Sequence, residues 1–128
     1  MIQKETILNV VDNSGAKKVL CVHMYNGYKR RYSKIGDLIK IAVKTVRKNN
    51  LDTLKIKKGD MSRAIVTTCK TPLKTFNNEL KFYNVNSVIL ISDQNKYLAS
   101  KVNVKIDYSF FRYTRYSKLL RMSSKVLH

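Results

Sequence analysis

Acid is what this chain has least of for its charge. Its 128 residues include 8 Asp+Glu against 26 Lys+Arg, a formal net charge of +18. Proline occurs once, glycine four times and cysteine twice. Each shortage excludes something. No apolar run approaches the roughly 20 residues of a membrane-spanning helix. Cys21 and Cys69 lie in separate apolar, strand-like runs and neither belongs to a CxxC, so a disulfide framework and a zinc site are both disfavoured. Two reduced, buried thiols are expected, which points weakly to a reducing compartment. The first residues, Met1 to Thr6, resemble neither a signal peptide nor an Arg-rich presequence, so the chain is expected to act where it is made.

The acids that exist are scattered through turns and loops: Glu5, Asp12, Asp37, Asp52, Asp60, Glu79, Asp93 and Asp107. They offer no paired carboxylates for acid–base work. His23 stands in a strand-like run with no second catalytic group beside it, and is expected to be a packed or half-exposed structural residue. His128 is the last residue. Ser14-Gly15 lacks the GxSxG context of a hydrolase elbow, and no Gly-rich phosphate loop is present. The expectation is a protein that is not an enzyme and uses no metal or cofactor.

What is present is positive charge on a globular composition. The chain is 44% hydrophobic, ordinary for a folded domain, and one domain of this length buries a core without staples. It should fold to a radius of gyration of roughly 14 Å. With a Debye length of about 8 Å, +18 on such a globule repels itself by on the order of 10 kcal/mol. That is comparable with the whole stability of a domain, about 5–15 kcal/mol. The unfolded chain repels itself too, which cuts the net penalty to a few kcal/mol. A polyanionic partner is the simplest way to relieve it.

Short strand-like runs dominate the first 92 residues. Thr6 to Val11, Val19 to Tyr25, Leu38 to Val46, Arg63 to Cys69 and Asn86 to Ile91 read as strands. In the third, Ile39, Ile41 and Val43 alternate with Lys40, Ala42 and Lys44. Turn chemistry separates them: Asp12-Asn13-Ser14-Gly15, the hairpin signal Asn26-Gly27, and the two Gly-Asp pairs Gly36-Asp37 and Gly59-Asp60. Lys70 to Lys81, with Asn77-Asn78 near its middle, reads as a projecting two-stranded ribbon. A small closed barrel is favoured because closure leaves no free edge.

From Phe110 the period becomes helical. Phe110, Tyr113, Tyr116 and Leu120 share one sector, and Arg112, Arg115, Lys118 and Arg121 occupy the other half. Phe111 and Leu119 intrude on the basic side, which predicts two short helices rather than one. Repeats, linkers and low-complexity segments are absent.

The bases cluster. Lys29-Arg30-Arg31-Tyr32 shares one loop, and Lys55, Lys57 and Lys58 precede the second Gly-Asp turn. The C-terminal stretch interleaves tyrosine with arginine and lysine. Cations neutralise phosphates and rings stack on unpaired bases, so nucleic acid is the expected partner. The tyrosines are as apt to pack under the helices as to touch a base.

Several strings taken together resemble large-subunit ribosomal protein 14. They are Met1-Ile2-Gln3, Leu8-Asn9-Val10, Asp12-Asn13-Ser14-Gly15-Ala16-Lys17-Lys18-Val19, Arg30-Arg31-Tyr32, Ile35-Gly36-Asp37-Leu38-Ile39-Lys40-Ile41, Lys57-Lys58-Gly59-Asp60 and Ala64-Ile65-Val66. They run collinearly from residue 1 to about residue 92. The resemblance implies a mainly β, five-stranded barrel over about residues 1–92, a projecting ribbon, and a C-terminal region with short helices over about 93–128, all in one domain. It implies binding to large-subunit rRNA, contacts with neighbouring large-subunit proteins, and a bridge to small-subunit rRNA. It also implies a docking surface for a ribosome-silencing factor, which would involve Ser100 and Lys101.

The RNA-binding candidates are Lys17, Lys18, Lys29, Arg30, Arg31, Tyr32, Lys44, Lys57, Lys58, Arg63, Arg112, Arg115, Lys118 and Arg121. Near residues 99 to 106 the family has Gly-Thr-Arg-Ile-Phe-Gly-Pro-Val, whereas here stand Ala99-Ser100-Lys101-Val102-Asn103-Val104-Lys105-Ile106. Both glycines and the proline are replaced, so this loop is expected to take another path.

That divergence, with abundant Lys and Asn and scarce Gly and Pro, predicts a mitochondrion-encoded member of the mitochondrial matrix ribosome. An AT-rich plastid or a bacterial cytoplasm is the alternative. The competing functional reading is a free-standing barrel that binds single-stranded nucleic acid, like an OB-fold translation factor. Either binding mode predicts a steep salt dependence. Neutralising about eight phosphates gives a slope of log affinity against log salt of roughly −6 to −7. Titration of rRNA binding at several salt concentrations checks this, and a flat response contradicts it.

Overall fold

Strand alternation and two-sided burial together build the structure, a computed structural model. It describes residues 1–25, 27–47, 56–74, 77–107 and 116–124, with the backbone of Val126–Leu127. In chain order come β1 (Ile7–Val10), β2 (Ala16–Met24), β3 (Leu38–Val46) and β4 (Met61–Thr68). The two-residue strands β5 (Leu73–Lys74) and β6 (Leu80–Lys81) form the expected ribbon, and β7 (Ser87–Ile91) follows. Five strands close a barrel in the order β1-β2-β3-β4-β7, antiparallel throughout except where β1 meets β7. After the barrel come β8 (Ile106–Asp107), the helix α1 (Ser117–Met122) and β9 (Val126–Leu127), with β8 and β9 paired in parallel.

The alternation expected in β3 holds: Ile39, Ile41 and Val43 are buried while Lys44 is exposed. The barrel interior is filled by these residues with Leu8, Val10, Val19, Cys21, Ala64, Val66, Val88 and Leu90. Cys21 and Cys69 are both buried free thiols, and burial pushes the Cys21 thiol up from its ordinary pKa. β7 is buried at all five positions, and β4 from Ala64 to Thr68. A strand buried on every residue has cover on both faces. The second cover is the C-terminal region: Ile65, Ile89 and Ile91 meet Val102, Ile106, Tyr116, Leu119 and Leu120 on the outside of the barrel.

The turns behave as their residues require. Gly36 and Gly59 both adopt positive φ, at 88° and 93°. In each turn the following aspartate accepts a hydrogen bond from the amide three residues earlier. Asp37 Oδ2 takes the Lys34 N–H at 2.7 Å, and Asp60 Oδ2 takes the Lys57 N–H at 2.8 Å. Those two acids are therefore structural. β2 and β3 are neighbours as the Asn26-Gly27 signal implied, but residues 25–37 join them, not a tight turn, and Asn26 lies outside the described residues. That excursion is tied to the N-terminal segment, with Ser33 and Ile2 exchanging backbone hydrogen bonds at 2.7 and 3.3 Å.

Asp12 does more than shape a turn. It is fully buried, and its Oδ1 accepts from the Ser14 N–H at 2.9 Å and from the Ser14 hydroxyl. Its Oδ2 accepts from the Leu90 N–H at 2.8 Å. Asn13 faces the other way. Its Oδ1 accepts from the amides of Ser100 and Lys101 at 3.0 and 3.2 Å, and its Nδ2 donates to Ser100 Oγ at 2.9 Å. The divergent loop from Ala99 to Ile106 is thus held by the turn, and none of its residues takes a positive φ. Its side chains suit a path with neither glycine nor proline.

The helical expectation needs one correction. Among the described residues the C-terminal region holds one short helix, α1. Leu119 does not lie with the basic side: it is fully buried beside Leu120, while Lys118 and Arg121 are exposed. The phase counted from Phe110 does not carry through, because α1 starts at Ser117. Residues 108–115, including Phe110, Phe111, Arg112, Tyr113 and Arg115, lie outside the described residues.

The ribbon is anchored to β8 by a buried carboxylate. Asp107 is 2% exposed and accepts from Lys81 Nζ at 3.2 Å and from the Tyr83 hydroxyl at 2.9 Å. Burial, then the hydrogen bond to Asp107 and its charge, pushes the Tyr83 phenol far above its ordinary pKa.

Two outcomes follow. Asp12→Ala strands the Leu90 N–H in the core and should cost about 1–3 kcal/mol, read from urea midpoints at constant salt. Tyr83 contributes fully below pH about 10, where both states hold the proton. Above that the unfolded chain releases it while the folded chain does not. The stability of the native chain relative to Tyr83→Phe should therefore fall between pH 9 and pH 11, and an unchanged difference refutes this.

Candidate nucleic-acid interface

Bulges, more than alternation, arrange the basic residues. In β2, Lys17 and Lys18 are consecutive, yet both are exposed, and so are Val22 and His23 further on. Register shifts against β3 fall at these places, between Ala16 and Lys18 and between Cys21 and His23. An extra residue in one strand lets two neighbours face outward together. A third shift, between Lys18 and Val19, leaves Lys44 beside Thr45 on the outside of β3, and Thr45 pairs with Lys18.

The second Gly-Asp turn packs against the same stretch of β3. The Gly59 N–H donates to the Val43 carbonyl and the Val43 N–H to the Asp60 carbonyl, both at 2.9 Å. Lys17, Lys18, Lys44, Lys57 and Lys58 are thereby gathered at one end of the barrel, all exposed. Arg47 joins them. Its amide donates to the Gly15 carbonyl at 2.8 Å, and its guanidinium reaches the Asp12 carbonyl at 3.4 Å. Arg47 is not among the candidates the sequence offers; its signal is a cation directly after a basic outward strand face. Lys55 lies outside the described residues.

The other end of the barrel carries Lys29, Arg30, Arg31 and Tyr32, in the loop between β2 and β3. Lys29 takes φ 71°, a left-handed conformation that costs a side-chain-bearing residue about 1–2 kcal/mol. Tyr28 beside it is 93% exposed, with Lys29 Nζ 5.9 Å from its ring centre. Arg30 and Arg31 are exposed and Tyr32 is half-buried, with Lys34 Nζ 5.9 Å from its ring. The Tyr116 hydroxyl donates to the Gly36 carbonyl at 2.8 Å. That bond sets the start of α1, with its exposed Lys118 and Arg121, against the base of this loop.

Arg63 is held differently from the other candidates. Its guanidinium lies 5.6 Å from the Tyr25 ring, donates to Asn95 Oδ1 at 3.4 Å and stands 3.6 Å from Asp93 Oδ1. Its charge adds to the surface potential while one of its donors is engaged by the fold. Ser100 and Lys101 are exposed, but their amides and the Ser100 hydroxyl are engaged by Asn13.

Among the described residues, the groups that catalysis would need do not converge. His23 is exposed and meets Tyr25 edge-to-face, with ring centres 5.5 Å apart. A cavity of about 410 Å³ beside the barrel is lined by Leu38, Arg63, Ile65, Ile91, Asn95, Tyr97 and Tyr116, with no carboxylate or histidine among them. Burial, and then Tyr116, raises the Tyr97 phenol, which keeps it protonated. Among the described residues no cluster of His, Cys, Asp or Glu could hold a metal ion, and no helix is long and apolar enough to cross a membrane.

Comparison with known proteins gives a match over nearly the whole chain. The family described as Ribosomal protein L14p/L23e matches residues 1–127. A relative from Carsonella ruddii (strain PV), named large ribosomal subunit protein uL14, is 33% identical over 127 residues, covering 99% of this chain and all of the relative.

Proposed function

The chain belongs to the ribosomal protein L14p/L23e family and is a structural constituent of the large ribosomal subunit; from that premise we propose that its two basic ends bind large-subunit rRNA. The observation that carries the reading is the register that gathers Lys17, Lys18, Lys44, Lys57, Lys58 and Arg47 on one side of the barrel. Six cations at one end, matched by Lys29, Arg30 and Arg31 at the other, suit a folded RNA that touches the barrel along its length. Backbone phosphates are the natural contacts, because cations without base-reading geometry position a protein and do not select sequence. Lys118 and Arg121 extend the second end, with Arg112 and Arg115 as further candidates in the same stretch.

We also propose that the surface takes part in joining the subunits through small-subunit rRNA, and that Ser100 and Lys101 present a docking surface to a silencing factor. Support for the latter is their exposure on a loop that Asn13 holds in place. Neighbouring large-subunit proteins complete the partners. The compartment we propose is the mitochondrial matrix, on the composition and on the divergence of residues 99–106; sedimentation with cytoplasmic ribosomes rather than organellar ones overturns that part alone. The OB-like alternative has lost one of its stacking rings, since Tyr116 is 6% exposed with its hydroxyl engaged.

In Lys17→Gln/Lys18→Gln/Lys44→Gln, three phosphate contacts are removed. The magnitude of the salt slope for rRNA binding should drop by about 2–3, with affinity weakened alike for unrelated RNA sequences. An unchanged slope rules out these lysines as RNA contacts. The native protein should sediment with the large subunit through moderate salt, and recovery only as a free monomer defeats the whole reading.

A further inference from the structure

Between its two basic ends the barrel wall carries a row that RNA binding does not use. The register pairs Ile7 with Leu20, Leu20 with Ala42, and Ala42 with Met61. Residues opposite one another share a face, so these four form one line across β1, β2, β3 and β4. With strands about 4.8 Å apart the line is roughly 14 Å long. Ile7 is 60% and Met61 51% exposed, Leu20 and Ala42 are half-buried, and the bulge in β2 turns Val22 outward beside them. The opposite half of the same wall, around Ile65, Ile89 and Ile91, is covered by the chain's own C-terminal region. This half is left bare.

Basic rows border it on both sides. Two residues along, about 7 Å away, lie Lys18 and Lys44 in one direction. In the other lie His23, Lys40 and Arg63, which pair across β2, β3 and β4. Glu5 and Asp60 stand near the ends of the row, and the Asp60 carboxylate is already engaged by the Lys57 amide.

We propose that this stripe docks an acidic segment of a neighbouring protein in the large subunit, its aliphatic side chains on the row and its carboxylates on Lys40, the flanking lysine that the RNA-binding ends do not claim. The inference rests on the chain being a large-subunit component and names one partner surface within that reading. An aliphatic row gives bases nothing to stack on, since unpaired bases are held by rings. Phosphates gain nothing from covering Ile7 or Met61. Apolar side chains of a protein do gain, and the flanking lysines choose an acidic protein over a basic one. A second copy is disfavoured, because two surfaces from chains of charge +18 would meet basic row to basic row.

The test uses intact large subunits. Met61 reports cover through its oxidation by peroxide, compared with the free protein. A zero-length carbodiimide reports carboxylates, because it joins lysine amines directly to Asp or Glu. Expected are a tenfold or greater slowing of Met61 oxidation in the particle, and cross-links from Lys40 to an acidic peptide of another protein. Met61→Glu should reduce those cross-links severalfold while Met61→Leu keeps them; both changes are at an exposed position and leave the core intact. Oxidation at the free rate overturns the proposal. So does protection without protein cross-links, which marks an RNA cover, or cross-linking to a second copy. Sedimentation in the same gradients separates the two levels. A chain that travels with the particle but keeps a reactive Met61 refutes the stripe alone, and a chain missing from the particle refutes the subunit assignment and the stripe with it.

Discussion

The Asp12 carboxylate accepts the Leu90 amide at 2.8 Å just past the last backbone bond between β1's chain and β7. Those two strands are the seam of the barrel, and their register holds only two pairs, Asn9 with Ser87 and Val10 with Val88. Val11 still donates to the Val88 carbonyl at 3.2 Å, but its own carbonyl is taken by the Asn103 N–H at 2.9 Å, while the Leu90 amide is left to a side chain. That side-chain oxygen takes the place of a carbonyl and extends the ladder by one rung. An amide left unmade in such a core costs about 1–3 kcal/mol, a large share of a marginal stability. The neighbouring Asn13 then clasps the amides of Ser100 and Lys101. One four-residue turn thus seals the barrel inwardly and fixes the C-terminal region outwardly.

Closure in turn sorts the outer wall. β4 and β7 carry isoleucine facing outward as well as apolar residues facing in, and Leu119, Leu120 and Tyr116 cover them. The rest of the wall shows lysine at both ends and aliphatic side chains between. The two halves have different tasks. One half binds the chain to itself, and the other is free to meet RNA and protein. The excess of positive charge is tolerable because it lies on this second half and in loops, where a polyanion can reach it.

Much of the barrel was legible in the sequence because its signals are local. Ile39, Ile41 and Val43 alternate with polar neighbours, so β3 was readable to the residue. The Gly-Asp turns were readable because glycine is the residue that accepts φ near 90° and aspartate reaches back to an amide three residues earlier. The grouping of the basic residues was less legible. Two register shifts turn Lys17, Lys18 and Lys44 outward together, and Lys57 and Lys58, distant in sequence, join them through the hydrogen bonds of their turn to Val43. A shift depends on the partner strand, so no single segment announces it. Leu119 was misplaced for a similar reason. Helical phase depends on where a helix begins, and the contact of Tyr116 with Gly36 marks that start.

Composition and local pattern alone determined that this chain is a basic, mainly β protein with a family motif, and raised the expectation of a polyanionic partner. Those properties follow from residue types, their spacing and their charge, which need no knowledge of distant contacts. Only the tertiary structure decided that Asp12 is a buried rung, that Arg63 is held by Tyr25, Asn95 and Asp93, and that a bare aliphatic row separates two basic borders. Each is a relation between segments far apart in the chain, and such relations exist only once the strands are in register.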